Sequence, residues 1–233
     1  MTELVLVPSP LVGPRTWTDV ADVLRADGRT VHVADLRDVP TAADAADEAR
    51  RTLHSLLRDG AGPVALVLHS NAGLYAPLLV EAAQRDVEAV VLVDAGVAGA
   101  GPTVPLAPSR LLDHLAGLAD ADGLLPPWSR WWPADALAQV LPDPLVRAEL
   151  EAELRPVPLG YLHGRVPVPD VRVPSAYLRL SAAYDDELRA ASARGWPTAS
   201  LDGGHLHQVV EPVEVARAIQ VLLVTLGAGG GGR

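Results

Sequence analysis

Short apolar runs along this chain alternate with longer stretches whose apolar positions follow a helical period. The pattern predicts strands at residues 4–7, 30–34, 64–68, 89–93 and 175–180, with a last short strand at 198–201. Helical spacing covers residues 16–26, 41–57, 74–84, 186–194 and 212–226. Strands that are apolar on both faces and alternate with helices are typical of a parallel sheet covered by helices. We therefore predict an α/β fold with a mostly parallel sheet.

This alternation stops between Gly96 and Asp170. The segment is rich in Pro, Gly and Trp, has no clear strand, and carries short helical patterns at 110–118, 134–141 and 144–154. We predict a core domain formed by residues 1–96 and 171–226, with residues 97–170 inserted as a small helical lid. The glycine-rich residues 227–233 are expected to form a flexible tail.

Composition narrows the class of protein. The 233 residues are 49% apolar and carry a net charge of −10, which favours a soluble globular protein and disfavours nucleic acid or an anionic membrane as partner. Without cysteine there is no disulfide framework and no cysteine nucleophile. The sequence shows neither a signal peptide nor a bilayer-spanning run, so we expect a cytoplasmic location.

The most informative motif lies where the third strand ends. The run 64–68 leads into His69-Ser70-Asn71-Ala72-Gly73 and then into a helical stretch. This strand–turn–helix context is the setting of a nucleophile elbow, in which small residues flank a serine held in a strained conformation. Leu68 stands where the usual pattern has glycine, and the alternative is a serine that only caps a helix. We predict Ser70 as the nucleophile.

A serine nucleophile needs a base, and an acid that orients the base. His205 follows the last strand on a loop with two glycines, Gly203-Gly204, and is the predicted base; His207 is the rival. The acid is expected after the strand 175–180, where Asp185 is the first choice. Asp186 on the same loop and Asp94, which ends the strand 89–93, remain alternatives.

Two backbone donors would stabilise the oxyanion of such a reaction. The N–H groups of Asn71 and of a residue in the loop after the first strand are the candidates. Pro10 in that loop has no N–H, so Leu11 is the nearest residue that can donate.

These segments resemble the α/β-hydrolase superfamily, most closely its small esterase-like and hydroxynitrile-lyase-like members and actinobacterial proteins of this type. The resemblance rests on Val5–Pro10 leading to Trp17, on 68–73, and on Gly204-His205 with Glu211-Pro212 downstream. It implies a Ser70 nucleophile, a His205 base, and a lid inserted after the sixth strand of the family's sheet. Two departures are visible: Pro8-Ser9 replaces the usual His-Gly pair, and the usual acid position falls on Ala183, two residues before Asp185.

The predicted lid concentrates Trp128, Trp131 and Trp132 within five residues. They are candidates for an apolar substrate wall, although such rings can equally fix a lid to a core.

We therefore expect a serine hydrolase that cleaves a small apolar ester, thioester or lactone through an acyl-serine. The alternatives are a cofactor-free lyase, cyclase or isomerase on the same fold, and a non-catalytic ligand-binding protein. No cofactor and no metal are expected, since the seven histidines show no paired spacing except His205/His207. The expected partner is a small apolar organic substrate, and a homodimer is left open.

Overall fold

The structure, a computed structural model, describes residues 2–228 of the chain. Its strands are β1 (Glu3–Val7), β2 (Val31–Val33), β3 (Val64–His69), β4 (Val87–Val93), β5 (Thr103–Pro105), β6 (Leu124–Leu125), β7 (Val157–Pro158), β8 (Arg165–Pro167), β9 (Ser175–Arg179) and β10 (Thr198–Ser200). Six of them form one sheet in the order β10-β9-β4-β3-β1-β2, and every neighbouring pair is parallel. The predicted α/β class with a mostly parallel sheet is confirmed.

Between residues 2 and 228, ten α-helices accompany these strands. They are α1 (Arg15–Ala26), α2 (Ala45–Leu57), α3 (Ala76–Ala82), α4 (Ser109–Ala116), α5 (Ala136–Val140), α6 (Pro144–Glu153), α7 (Leu159–Leu162), α8 (Asp185–Ala193), α9 (His207–Val210) and α10 (Pro212–Thr225). Short 3-10 turns occupy Val39–Thr41, Ser70–Tyr75, Trp128–Arg130 and Ala182–Tyr184. None of the helices in the described residues is long and apolar enough to cross a membrane.

Alternation along the strands divides the core between the two faces of the sheet. On one face, Leu4 and Leu6 of β1 pack with Trp17 of α1 and Ile219 of α10. On the other face, Val5 and its neighbours pack against α2, α3 and the segment that follows β4. Because a strand presents successive side chains to opposite faces and both layers are apolar, the central strands β1, β3 and β4 appear in the sequence as continuous apolar runs.

The segment between β4 and β9 differs from the prediction that it has no clear strand. It contains two small antiparallel pairs, β5 with β8 and β6 with β7. These strands have only two or three residues and several prolines, so they are too short to show a period of two. The three predicted helical patterns of this segment correspond to α4, α5 and α6.

Apolar side chains of the inserted segment belong to the same buried cluster as one face of the sheet. Leu106, Leu125, Trp131 and Leu162 are among the members of this cluster, which also contains Leu66 and Leu68 of β3. The inserted segment is therefore fixed to the sheet by a shared core. Of the predicted flexible tail, residues 229–233 lie outside the described part of the chain.

Candidate active site

Ser70 lies at the carboxyl end of β3 in a backbone conformation that few residues adopt. Its φ is +59°, although it is not glycine, and only Asp94 shares this feature among the described non-glycine residues. A positive φ of this kind costs free energy and is held in place by the surrounding structure. One restraint is visible: the Gly96 N–H donates to the Ser70 carbonyl at 3.0 Å. The predicted strained turn is present, with leucine at position 68 in place of glycine.

Close packing after the serine requires a glycine at position 73. A Cβ atom at Gly73 would lie 2.4 Å from the Gly96 carbonyl oxygen and 2.8 Å from the Ala95 Cβ. The short side chains that the sequence places after Ser70 therefore let the elbow approach the end of the neighbouring strand β4.

His205 reaches Ser70 from the loop between β10 and α9. Its Nε2 lies 3.0 Å from the Ser70 Oγ, and its Nδ1 lies 2.8 Å from Oδ2 of Asp94. Because the carboxylate accepts the Nδ1 proton, Nε2 is left as the acceptor that faces the serine hydroxyl. The rival His207 is directed elsewhere, with its Nε2 at 3.1 Å from Glu214.

The acid in contact with His205 is Asp94 and not Asp185. The Asp94 side chain is completely buried. Its Oδ1 accepts the N–H groups of Leu180 and Ser181, and its Oδ2 accepts the Ser181 hydroxyl at 2.6 Å as well as His205. Burial by itself raises the pKa of the Asp94 carboxyl, but the hydrogen bonds from His205 and Ser181 outweigh it and lower the pKa.

The prediction of Asp185 as the acid is corrected by this geometry. The Asp185 side chain, at the first position of α8, is about half exposed and pairs with the Arg179 Nε at 3.2 Å. Asp186, the other alternative, pairs with Arg189. Strands β4 and β9 are neighbours, so the loop after β9 does lie beside the site, but it supplies donors that hold Asp94 and supplies no carboxylate to His205.

Two further rings lie against the His205 imidazole. The Tyr184 ring stacks on it with a centroid distance of 5.0 Å and an interplanar angle of 6°. The His69 ring lies 4.6 Å away, and its Nε2 donates to the His205 carbonyl oxygen at 2.9 Å. His69 is fully buried, and burial, followed by the nearby His205, lowers the pKa of its imidazole to about 3, so the ring is neutral.

Sequence reasoning missed the roles of Tyr184 and His69. His69 belongs to the quoted elbow motif, and its position directly before the serine is a signal that could have singled it out. Tyr184 is the residue before Asp185, and only the folded structure shows that its ring is turned toward His205.

The predicted oxyanion donors differ in their present contacts. The Asn71 N–H is at the second position of the 3-10 turn, where a helix offers no acceptor of its own, so this group is available to a ligand. The Leu11 N–H is directed at the Ser9 Oγ, 3.3 Å away. Within residues 2–228, the first donor thus has no acceptor inside its own turn, while the second already has a weak intramolecular acceptor.

The Asn71 side chain connects the elbow to the inserted segment. Its Nδ2 donates to the Leu106 carbonyl at 2.8 Å, and its Oδ1 accepts the Tyr161 hydroxyl at 3.0 Å. The Tyr161 hydroxyl in turn lies 3.1 Å from that of Tyr75. The side chain that follows the candidate nucleophile is therefore fixed by two contacts from the inserted segment.

The three tryptophans predicted to line the substrate pocket occupy different environments. Trp128 is partly buried, and its ring centroid lies 6.4 Å from that of His205. Trp131 is buried in the core, where its Nε1–H donates to the Pro126 carbonyl at 2.7 Å. Trp132 is 39% exposed and stacks on His114. Within the described residues, Trp128 is thus the one of the three placed beside the base.

The sheet order, the serine at the end of β3 and its contact with a histidine after β10 define an α/β-hydrolase fold, and solved structures share it. An extracellular α/β-hydrolase from Paenibacillus, described as a structural and functional homologue of tobacco Salicylic Acid Binding Protein 2, gives a TM-score of 0.74 at 19% identity over 97% of this chain and 99% of its own. A pyrethroid hydrolase gives 0.72 at 17% identity, covering 99% and 100% of the two chains.

Tomato methylketone synthase I, solved with bound β-ketoheptanoate, gives a TM-score of 0.69 at 14% identity over 97% of this chain and 98% of its own. These likenesses confirm the predicted resemblance to α/β-hydrolases at the level of the fold. No protein-family model matches the sequence, and no curated protein is similar enough to be detected.

Proposed function

We propose that this protein is a serine hydrolase that cleaves a small apolar ester, thioester or lactone through an acyl-Ser70 intermediate. The observation that carries the proposal is the continuous chain from the Ser70 Oγ through His205 to the buried Asp94, with contacts of 3.0 Å and 2.8 Å. The fold's solved relatives include proteins named as hydrolases and esterases, which supports the same class of reaction.

In the first half of the proposed reaction, the Ser70 Oγ attacks the carbonyl carbon while its proton passes to the His205 Nε2. Asp94 accepts the hydrogen bond from the His205 Nδ1–H and stabilises the imidazolium that forms. Collapse of the tetrahedral intermediate breaks the bond to the leaving alcohol or thiol, which takes the proton from Nε2. The Asn71 N–H donates to the oxyanion.

In the second half, water attacks the acyl-serine carbonyl and gives a proton to the His205 Nε2. The serine oxygen leaves with that proton, so the carboxylic acid is released and the free enzyme returns. We place the substrate next to Trp128 and Tyr184, whose rings flank His205, and this favours apolar substrates.

Labelling of the serine tests this proposal directly. We expect a fluorophosphonate to add once to the protein, with the adduct on Ser70 by peptide mapping, and p-nitrophenyl butyrate to be hydrolysed. Ser70→Ala should lose both the adduct and the turnover while keeping its melting temperature. An unlabelled wild-type protein, under conditions that label a control esterase, would contradict the proposal.

One observation favours a second candidate, proton-transfer chemistry without an acyl-enzyme. The Leu11 N–H contacts the Ser9 Oγ, so one of the two backbone donors for an oxyanion is partly engaged. A cofactor-free lyase, cyclase or isomerase could use Ser70 and His205 as a proton relay. Turnover of nitrophenyl esters that disappears in Ser70→Ala would decide in favour of hydrolysis.

A further inference from the structure

Tyr184 brings a hydroxyl group to the candidate nucleophile. It ends the 3-10 turn between β9 and α8, and its hydroxyl oxygen lies 3.4 Å from the Ser70 Oγ. Its ring lies flat on the His205 imidazole. The hydroxyl and the base therefore approach the same oxygen atom, and the hydroxyl has no place in the relay from Ser70 to Asp94.

The hydrogen-bond pattern fixes the direction in which this hydroxyl donates. The His205 Nδ1 proton belongs to the contact with Asp94, so Nε2 accepts the Ser70 hydroxyl proton. The Ser70 Oγ can then only accept from Tyr184. Burial raises the pKa of the Tyr184 phenol well above its usual value, so the phenol remains a donor throughout the neutral range.

A donor aimed at the Ser70 Oγ is also within reach of the oxygens that a substrate places there. In a tetrahedral intermediate, Oγ becomes bonded to the carbonyl carbon, and the oxyanion is only two bonds away from it. The contact of 3.4 Å is long for a hydrogen bond between hydroxyl groups. The Tyr184 hydroxyl therefore loses little hydrogen-bond energy when it donates to the negatively charged oxyanion instead of to the Ser70 Oγ.

The loop after β1 offers few free backbone N–H groups to an oxyanion. Pro10 has no N–H, and the Leu11 N–H is directed at the Ser9 Oγ. We propose that the Tyr184 hydroxyl is a catalytic residue that donates a hydrogen bond to the substrate's carbonyl oxygen as negative charge develops, beside the Asn71 N–H. This inference rests on the proposed hydrolase function.

A matched pair of variants separates the hydroxyl from the ring. Tyr184→Phe keeps the ring on His205 and removes only the donor, whereas Tyr184→Leu removes both. We expect Tyr184→Phe to lower kcat for p-nitrophenyl butyrate by about 100-fold, the scale of a lost oxyanion donor, with KM changed little. Tyr184→Leu should be at least as impaired.

A transition-state analogue provides a readout that a purely structural role would not change. A trifluoromethyl ketone forms a hemiketal with the serine and carries the oxyanion, whereas the matching methyl ketone stays largely unreacted. In Tyr184→Phe, affinity for the trifluoromethyl ketone should fall by about the same factor as kcat. Affinity for the methyl ketone should stay within about twofold of that of the wild type. Equal losses for both ketones would overturn the inference.

Other outcomes assign failure to one proposal or the other. If the wild type is labelled on Ser70 and hydrolyses the ester, but Tyr184→Phe is equally active, the inference is wrong and hydrolysis stands. If only Tyr184→Leu is impaired, the residue acts through its ring on His205 and the donor role is also wrong. A wild type that shows neither label nor turnover overturns both. Melting temperatures of the variants identify any loss that comes from unfolding.

Discussion

At the scale of single residues, Asp94 and Asp185 are the two candidates for the carboxylate that orients His205, and they differ in burial and in hydrogen-bond partners. Asp94 is buried and bonded to His205, whereas Asp185 is half exposed and paired with Arg179. Asp94→Asn presents an amide donor in place of the carboxylate acceptor, which disfavours the productive tautomer of His205. We expect kcat for p-nitrophenyl butyrate to fall by about 10⁴-fold.

Asp185→Asn is the matched control for this substitution, because it makes the same chemical change at the exposed start of α8. It should retain kcat within about twofold, since a half-exposed ion pair contributes little. A reversed result, with Asp185→Asn inactive and Asp94→Asn active, would restore the acid favoured by the sequence.

The buried His69 should make the free energy of unfolding depend on pH. The pKa of its buried imidazole is about 3 in the folded protein, whereas an unfolded chain would bind the proton near 6.5. Between these values the unfolded state holds one more proton, so the free energy of unfolding falls as the pH falls from 6.5 toward 3. The slope from this residue approaches about 1.4 kcal/mol per pH unit.

His69→Gln removes this titration and keeps a polar side chain beside the His205 carbonyl. Urea unfolding at pH 7.0 and pH 4.5 should show a smaller acid-induced loss of stability in this variant than in the wild type. His54→Gln, on the exposed surface of α2, should keep the wild-type loss. An unchanged pH dependence in His69→Gln would show that His69 is already protonated or solvated in the fold.

The sequence singled out Ser70 as candidate nucleophile and His205 as candidate base because each follows a recognisable local pattern. Ser70 ends an apolar run, and His205 follows a Gly-Gly pair. The acid could not be chosen in the same way, because Asp94 and Asp185 both follow strands whose carboxyl ends meet at one edge of the sheet. Which carboxylate faces His205 depends on the positive φ of Asp94 and on the donors of Ser181, which are tertiary features.

At the scale of elements, the elbow depends on how closely the turn after β3 approaches the end of β4. Gly73→Ala would place a methyl group 2.4 Å from the Gly96 carbonyl oxygen, which is backbone and cannot rotate away. We expect a loss of about 1–3 kcal/mol in the free energy of unfolding. Denaturant titration measures this loss.

Gly160→Ala provides the control within the same chain. Gly160 is exposed in α7, and a Cβ there would meet nothing within 4 Å, so the variant should be neutral or slightly more stable. If Gly73→Ala were as stable as Gly160→Ala, the two strand ends would have room to separate, and the close packing of the elbow would not be required.

The elements themselves show where sequence patterns suffice. The six strands of the sheet were anticipated within two residues at each end. For the central strands β1, β3 and β4 the reason is burial on both faces, which makes them continuous apolar runs, whereas the edge strands β2 and β10 are only partly buried. The strands β5 to β8 were missed, since pairs of two or three residues containing Pro105, Pro158 and Pro167 are held together by the packing of the inserted segment and carry no period of their own.

At the scale of the whole molecule, the inserted segment and the sheet share one core. Leu106 illustrates this, because its side chain is 4% exposed within the shared cluster and its carbonyl accepts the Asn71 side chain. A segment with its own core could unfold separately, but one that buries its apolar residues against the sheet should not. We therefore predict a single cooperative unfolding transition for the described part of the chain.

Two probes test this cooperativity in urea. Tryptophan fluorescence is weighted toward the segment holding Trp128, Trp131 and Trp132, and far-ultraviolet circular dichroism toward the helices as a whole. Leu106→Ala should shift both transitions together by about 2–4 kcal/mol, while Leu145→Ala, at a side chain 74% exposed on α6, should shift neither. A shift confined to fluorescence would instead mean that the segment unfolds as an independent lid, and the Asn71 N–H would then depend on a contact that opens separately from the fold.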